Sequence, residues 1–159
     1  MTTKNQYQVD ETGWRILEEL QKNARVPFKQ LAEKVNLSTT AVVERVKRME
    51  EEGIIVDYRA TLNPKKLGYS FAAILSLATK YGNPDPILKQ VMAEIPEIIS
   101  SWSITGTDDY LLEVYVPSLE LLEQLLTYLT KYGKITTSIV LPSSISRRYF
   151  TEPRMDMQE

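Results

Sequence analysis

Two stretches of this 159-residue sequence concentrate side chains with chemistry to offer. The first is Ser38-Thr39-Thr40-Ala41-Val42-Val43-Glu44-Arg45-Val46-Lys47-Arg48. Its hydroxyls, carboxylate and cations are groups that bond to base edges and phosphates, and a valine can meet a thymine methyl. The second is Thr105-Gly106-Thr107-Asp108-Asp109-Tyr110, where two carboxylates stand side by side after a glycine. General acid–base work would need a second positioned group and a pocket, and a divalent ion would need several converging oxygens. Neighbouring side chains in a turn diverge, so neither fits. On local pattern alone the stretch is a hairpin turn, with glycine supplying an unusual φ and aspartate bonding back to the turn.

The missing residue types narrow the chemistry further. The chain has no Cys and no His. Disulfides, thiol nucleophiles, structural zinc and imidazole catalysis are excluded. Neither glycine fingerprint of a phosphate-binding loop is present, so no cofactor is expected and an enzyme is not expected either. Charge is balanced, with 19 Lys/Arg against 21 Asp/Glu and a formal net charge of −2. Residues 1–60 hold ten basic and ten acidic side chains. Any nucleic-acid surface is therefore local rather than global. MTTKNQYQVD has no apolar core of a secretory signal, and no apolar run approaches the roughly 20 residues of a membrane span. A soluble, cytoplasmic protein is expected.

The elements that must position these stretches follow from periodicity. Residues 1–8 read as a frayed polar end. Asp10 can cap a first helix whose apolar face is Trp14, Ile16, Leu17 and Leu20. Gly13 in its first turn costs up to about 1 kcal/mol against Ala. Pro27 suits the first position of a second helix with Leu31, Ala32 and Val35 inward. Asn36-Leu37 makes a tight turn, Ser38 caps a third helix running to Glu52, and Gly53 ends it. Val42, Val46 and Met49 recur at core spacing, which at about 100° per residue turns Thr40, Glu44, Lys47, Arg48 and Glu51 outward. Thr39 and Val43 flank that side.

Three short helices with a tight turn before the third form the helix-turn-helix layout, whose second element enters the major groove. Thr39, Thr40, Val43 and Glu44, near its start, are the candidates for base edges; Lys47 and Arg48 suit phosphates. Arg45 lies at the margin of the buried face, and an ion pair orienting the helix explains it as well as a phosphate contact. A helical packing module that binds no nucleic acid explains the same pattern nearly as well.

Residues 54–69 read as a connector with a β-like run at Ile54–Val56 and a turn at Asn63-Pro64. Strands are expected over Ser70–Thr79, Ile98–Thr105, Tyr110–Val116 and Ile135–Leu141. Helices are expected over Pro84–Ile95, with Ile87, Leu88, Val91 and Met92 inward, and from a Ser118 cap to about Tyr132. Leu119, Leu122, Leu125, Leu126 and Leu129 would lie on or near the inner face of that last helix. Two βαβ units in series make a ferredoxin-like domain. The organisation expected is a helix-turn-helix domain at 1–53, a connector at 54–69, a ferredoxin-like domain at 70–141 and a mobile tail at 142–159. Arg147 and Arg148 in that tail are expected to be solvated. A ligand-binding or assembly protein with a merely packed helical domain remains a competing reading, as does, more remotely, a small-molecule enzyme.

Residues 9–141 resemble the Lrp/AsnC family, the leucine-responsive or feast/famine regulators. The likeness is carried by NAR before the second helix, LS at the turn, V-x-x-R-V-x-R-M-E at Val42–Glu50, and Gly53-Ile54-Ile55. It continues with LNPKKLGY, then I-T-G-T-D-D-Y-L-L at Ile104–Leu112 and the closing TTSIVL. The resemblance implies an α+β chain: an N-terminal trihelical, winged helix-turn-helix domain and a C-terminal ferredoxin-like βαββαβ domain. It implies a transcription regulator that binds double-stranded DNA, for which the helix positions read above offer Ser38, Thr39, Thr40, Val43, Glu44, Arg45, Lys47 and Arg48. It implies a homodimer made through the second domain, assembling further to a tetramer or octamer. A small effector, an amino acid or a relative of one, would bind between dimers around Thr105, Gly106, Thr107, Asp108, Asp109 and Tyr110, with Thr137 facing the same region. The sequence departs from the family at Gly13, where a second acidic residue is usual, and at Pro27, where Ser or Thr usually caps. It departs again at Asp108, where a bulky residue is usual. Two readings follow: paired carboxylates there favour a ligand with a cationic group, or the site is empty.

Overall fold

The computed structural model describes residues 7–80, 86–141 and 149–153. The chain divides into two compact units. Of the described residues, the first unit holds 7–61 and 149–153, and the second holds 62–80 and 86–141.

The first unit is built on α1 (Glu11–Lys22), α2 (Phe28–Val35) and α3 (Thr39–Glu51). Asp10 Oδ1 accepts from Gly13 N at 2.7 Å, satisfying one of the orphan donors of α1. Gly13 is more than the expected weak spot. A Cβ there would stand 2.7 Å from Val9 Cγ1, so alanine would push the Val9 side chain aside. Pro27 is the residue before α2, at φ −62° and ψ 138°, rather than its first helical residue. Its extended ψ turns the chain into the helix, and its carbonyl accepts from Leu31 N. Asn36, at φ 56°, closes α2, and Leu37 N reaches back to Ala32 O. This left-handed closure aims the chain into Ser38 and α3.

The three helices bury one core: Ile16, Leu17, Leu20, Leu31, Ala32, Val35, Val42, Val46 and Met49. Trp14 is only partly buried against it. Each aliphatic side chain so buried is worth roughly 1.5–3 kcal/mol, which holds α3 against the other two helices. The expected β-like run at Ile54–Val56 is irregular chain. The amides of Ile54 and Ile55 both donate to Met49 O, so they are spent on ending α3 rather than on a ladder. Ile54 and Ile55 pack on the helical core.

Part of the expected mobile tail is docked. Gln21 Nε2 donates to Phe150 O at 2.9 Å, and Gln21 Oε1 accepts from Phe150 N at 2.8 Å. One primary amide supplies the donor and the acceptor that a strand neighbour would supply. Arg147 and Arg148 lie outside the described residues.

The second unit opens with a 3-10 turn at Pro64–Leu67, capped by Asn63. Then follow β1 (Phe71–Thr79), α4 (Pro86–Glu94), β2 (Ile98–Ser103), β3 (Tyr110–Val116), α5 (Leu119–Leu129) and β4 (Gly133–Ile139). The strands form one antiparallel sheet in the order β2-β3-β1-β4, the ferredoxin-like arrangement. Alternation puts Ala73, Leu75 and Leu77 of β1 and Tyr110, Leu112, Val114 and Val116 of β3 on one face. That face is covered by Leu88 and Met92 of α4 and by Leu122, Leu125 and Leu129 of α5. Ile87 and Leu119, expected inward, are exposed at 67% and 47%. Both stand at or beside the start of their helices, off the stripe that meets the sheet. The opposite face carries Ile74, Leu111 and Tyr115, all only partly buried, with Trp102 exposed.

Candidate nucleic-acid interface

The outer side of α3 is where the exposed, chemically varied side chains collect. Ser38 Oγ accepts from Ala41 N at 3.2 Å, so this hydroxyl is first of all a cap. With Val42, Val46 and Met49 buried, Thr39, Thr40, Val43, Glu44, Lys47 and Arg48 are exposed. Val43 is an apolar side chain left 38% exposed on an otherwise polar surface. Two hydroxyls, a methyl-bearing side chain, a carboxylate and two cations thus share one helical face. Lys47 stands 3.6 Å from Glu51, a pair of exposed ends that solvent and salt weaken.

Arg45 is half-buried and differs from its neighbours. Its Nη1 donates to Asp10 Oδ1 at 2.8 Å, the oxygen that also caps α1. Arg45 thus forms the ion pair that orients the helix, through one nitrogen of its guanidinium. The bond from Gly13 N, and then Arg45, hold the Asp10 carboxyl below its ordinary value. Arg48 lies over the ring of Tyr7, 4.5 Å from its centroid. Tyr7 is partly buried against the helical core, so the expected fraying does not extend to it. Residues 1–6 lie outside the described residues. Tyr7, Gln8 and Asp10 border, with Glu44, Arg45 and Arg48, an open groove of about 740 Å³. Sequence reasoning missed Tyr7. The available signal was an aromatic residue three positions before a helix cap in an otherwise polar run.

The second candidate stretch joins β2 to β3. Gly106 adopts φ 131°, a backbone that L side chains rarely take. Thr105, Gly106 and Thr107 are exposed and Asp108 is half-buried. Asp109 is turned inward. Its Oδ2 accepts from Thr79 N at 2.7 Å and Thr79 Oγ1 at 2.6 Å. Its amide donates to Leu77 O at 2.9 Å, and its carbonyl accepts from Ile104 N at 3.0 Å. This carboxylate fastens the turn to the end of β1. Tyr110 is buried at 1% exposure among the core residues of the sheet. In one copy of the chain, then, the Asp109 carboxylate is engaged with Thr79, the Tyr110 side chain is packed in the sheet's core, and Asp108 is the more open of the two carboxylates. Thr137 is exposed on β4 opposite Leu75, with β1 lying between it and the Asp109 turn. One copy of the chain does not bring the two together. Among the described residues, no group of three acidic side chains converges as a metal site, and no helix is long and apolar enough to cross a membrane.

A capped helix presented by a trihelical unit, followed by a ferredoxin-like unit, is the layout of a helix-turn-helix chain with an appended α+β domain. Comparison with known proteins places it more closely. Residues 9–56 match the winged helix-turn-helix DNA-binding model, and residues 73–150 match the Lrp/AsnC ligand-binding domain. The HTH-type transcriptional regulator LrpA of Bacillus subtilis is 35% identical over 133 residues, spanning 84% of this chain and 98% of that protein. The structure of B. subtilis LrpC superposes with a TM-score of 0.83 at 28% identity, covering 89% of this chain and all of LrpC. A transcriptional regulator from Neisseria meningitidis, solved as a complex with L-Met, gives a TM-score of 0.80 at 26% identity over 92% of this chain and 97% of its own. The chain belongs to the Lrp/AsnC family and is a DNA-binding transcription regulator rather than an enzyme.

Proposed function

We propose that α3 enters the major groove and reads sequence with Thr39, Thr40, Val43 and Glu44. Ser38, Arg45, Lys47 and Arg48 would meet phosphates. Hydroxyls serve several bases, Val43 suits a thymine methyl, and Glu44 can accept from cytosine N4. The observation that carries this reading is the exposure of the whole set on one face of a helix whose other face is core. Residues 1–53 would form the DNA-binding domain, 54–69 the connector and 70–141 the sensing and assembly domain. A regulator that works on DNA would do so in the cytoplasm.

The protein would act as a homodimer, assembling further to a tetramer or octamer. Trp102, Leu111, Tyr115 and Ile74 support a second copy on the sheet face opposite α4 and α5, since they share that face and none is fully buried. Two recognition helices would then meet half-sites about one helical turn apart, or a multiple of it. An effector, an amino acid or a close relative, would sit between dimers around Thr105, Gly106, Thr107, Asp108, Asp109 and Tyr110, with Thr137 of another copy adjacent. The L-Met held by the Neisseria meningitidis regulator supports that ligand class. The effector must bind two assembly or spacing states unequally to regulate.

Purified protein titrated against DNA from upstream of its own gene and against random DNA, across a salt series and with each amino acid in turn, tests the reading. Preference for the upstream DNA that weakens with salt is expected. Equal, negligible binding to both at low salt would overturn it.

A further inference from the structure

Residues 7–10 lie against the helical unit as a strap with three points of hold. Tyr7 packs on the core and carries the Arg48 guanidinium over its ring. Val9 fills the space in front of Gly13, and Asp10 both caps α1 and accepts from Arg45. Arg45 and Arg48 are neighbours on the surface of α3 at a spacing of three residues. The strap grips both, by different chemistry. Arg45 gives one guanidinium nitrogen to a carboxylate. Arg48 is held by an aromatic face, which leaves the in-plane N–H donors of a guanidinium available to an anion.

We infer that Tyr7 is a positioning residue for DNA binding, its ring setting Arg48 beside the reading face of α3 as a preformed phosphate contact. An arginine on an open helix surface loses rotamer freedom when it engages a phosphate, and holding it beforehand removes part of that cost. The gain matters more in this chain than in a basic one. Residues 1–60 carry no net positive charge, so attraction to DNA rests on locally placed cations such as Arg48 rather than on the charge of the unit as a whole. The inference rests on the reading of α3 as the DNA-contacting helix.

The test is a double-mutant cycle on the full chain. Tyr7→Leu keeps apolar bulk and removes the aromatic face, Tyr7→Phe keeps the face and removes the hydroxyl, and Arg48→Ala removes the cation. Binding to the upstream DNA and to a random duplex is followed by fluorescence anisotropy across a salt series, with a thermal melt of each variant. Arg48→Ala is expected to weaken binding to both duplexes and to lower the slope of log affinity against log salt by about 1 for each phosphate that Arg48 neutralises. Tyr7→Leu is expected to weaken binding to both by about two- to fivefold. Its salt slope should stay unchanged, because the same phosphates are still engaged. Tyr7→Phe should bind like the parent, and Tyr7→Leu should have no further effect once Arg48 is alanine. If Arg48→Ala binds like the parent, the phosphate role of Arg48 fails and the inference falls with it. If Arg48→Ala weakens binding while Tyr7→Leu does not, the inference alone fails. A Tyr7→Leu loss that persists undiminished in the Arg48→Ala background would also overturn it, by assigning Tyr7 to packing.

Discussion

The outer face of α3 and the β2–β3 turn are both rich in polar groups, yet the fold treats them oppositely. On α3 the fold uses buried apolar side chains for stability and leaves Thr39, Thr40, Val43, Glu44 and Arg48 exposed. In the turn it uses the polar groups themselves. Asp109 is bonded to Thr79, and Tyr110 is part of the sheet's core. A helix has a second face on which to put its packing, so its outer face can be given over to recognition. A tight turn has no such spare face, and its side chains must first hold the turn together. Polar residues on the outer face of α3 are therefore expected to govern binding with little effect on stability, and Asp109 in the turn to do the reverse.

The largest effect is expected in the turn. Asp109→Ala leaves the Thr79 amide and hydroxyl without their part-buried acceptor and should cost about 2–3 kcal/mol, read from thermal or urea unfolding. Unchanged stability would erase the contrast. On α3, Glu44→Ala should leave the melt within about 0.5 kcal/mol of the parent. It should relax discrimination at one base pair by about 1–3 kcal/mol, measured by competition between operator variants. A stability loss without a change in preference would put Glu44 among the structural residues. Ser38 sits on the boundary between the two behaviours, since its hydroxyl already accepts from Ala41 N. Ser38→Ala should cost about 1 kcal/mol of unfolding free energy, and Ser38→Asn should restore most of it.

The smallest effect concerns acid. Asp10 titrates below its ordinary value near 3.8 in the folded chain, chiefly through the Gly13 amide and then Arg45. A depressed carboxylate contributes stability above its unfolded pKa and loses it as pH falls through the folded value. The contribution of Asp10 should therefore be complete above about pH 4 and fade only below it. Asp10→Asn keeps the cap and removes the charge, so the acid dependence of the first unit should flatten at its low end. A variant as acid-sensitive as the parent would show that Asp10 is not a titrating link between α1 and α3.

Much of the frame was legible in the residues alone. The stripe of Val42, Val46 and Met49 separated core from surface before any partner was known, because helical geometry repeats within a few residues. The alternation Tyr110, Leu112, Val114, Val116 placed Tyr110 on the sheet's inner face, although its neighbourhood in the turn drew it into the expected effector set. The β-like run at Ile54–Val56 failed because two amides closed α3 instead. The docked backbone of Phe150 was invisible because its partner, Gln21, is 129 residues away.

By itself, then, the sequence determined the helices and their caps, the alternating strands, the apolar faces and the family to which the chain belongs. All of these rest on short-range periods or on runs of consecutive residues. Tertiary structure alone decided what the polar groups at the margins do. Arg45 found Asp10 across 35 positions, Asp109 found Thr79 across 30, and Arg48 came to rest over Tyr7. The physical reason is the directionality of a polar contact. Apolar burial needs only the right face, whereas a hydrogen bond or a cation over a ring needs one partner at one place, and only the folded chain supplies it.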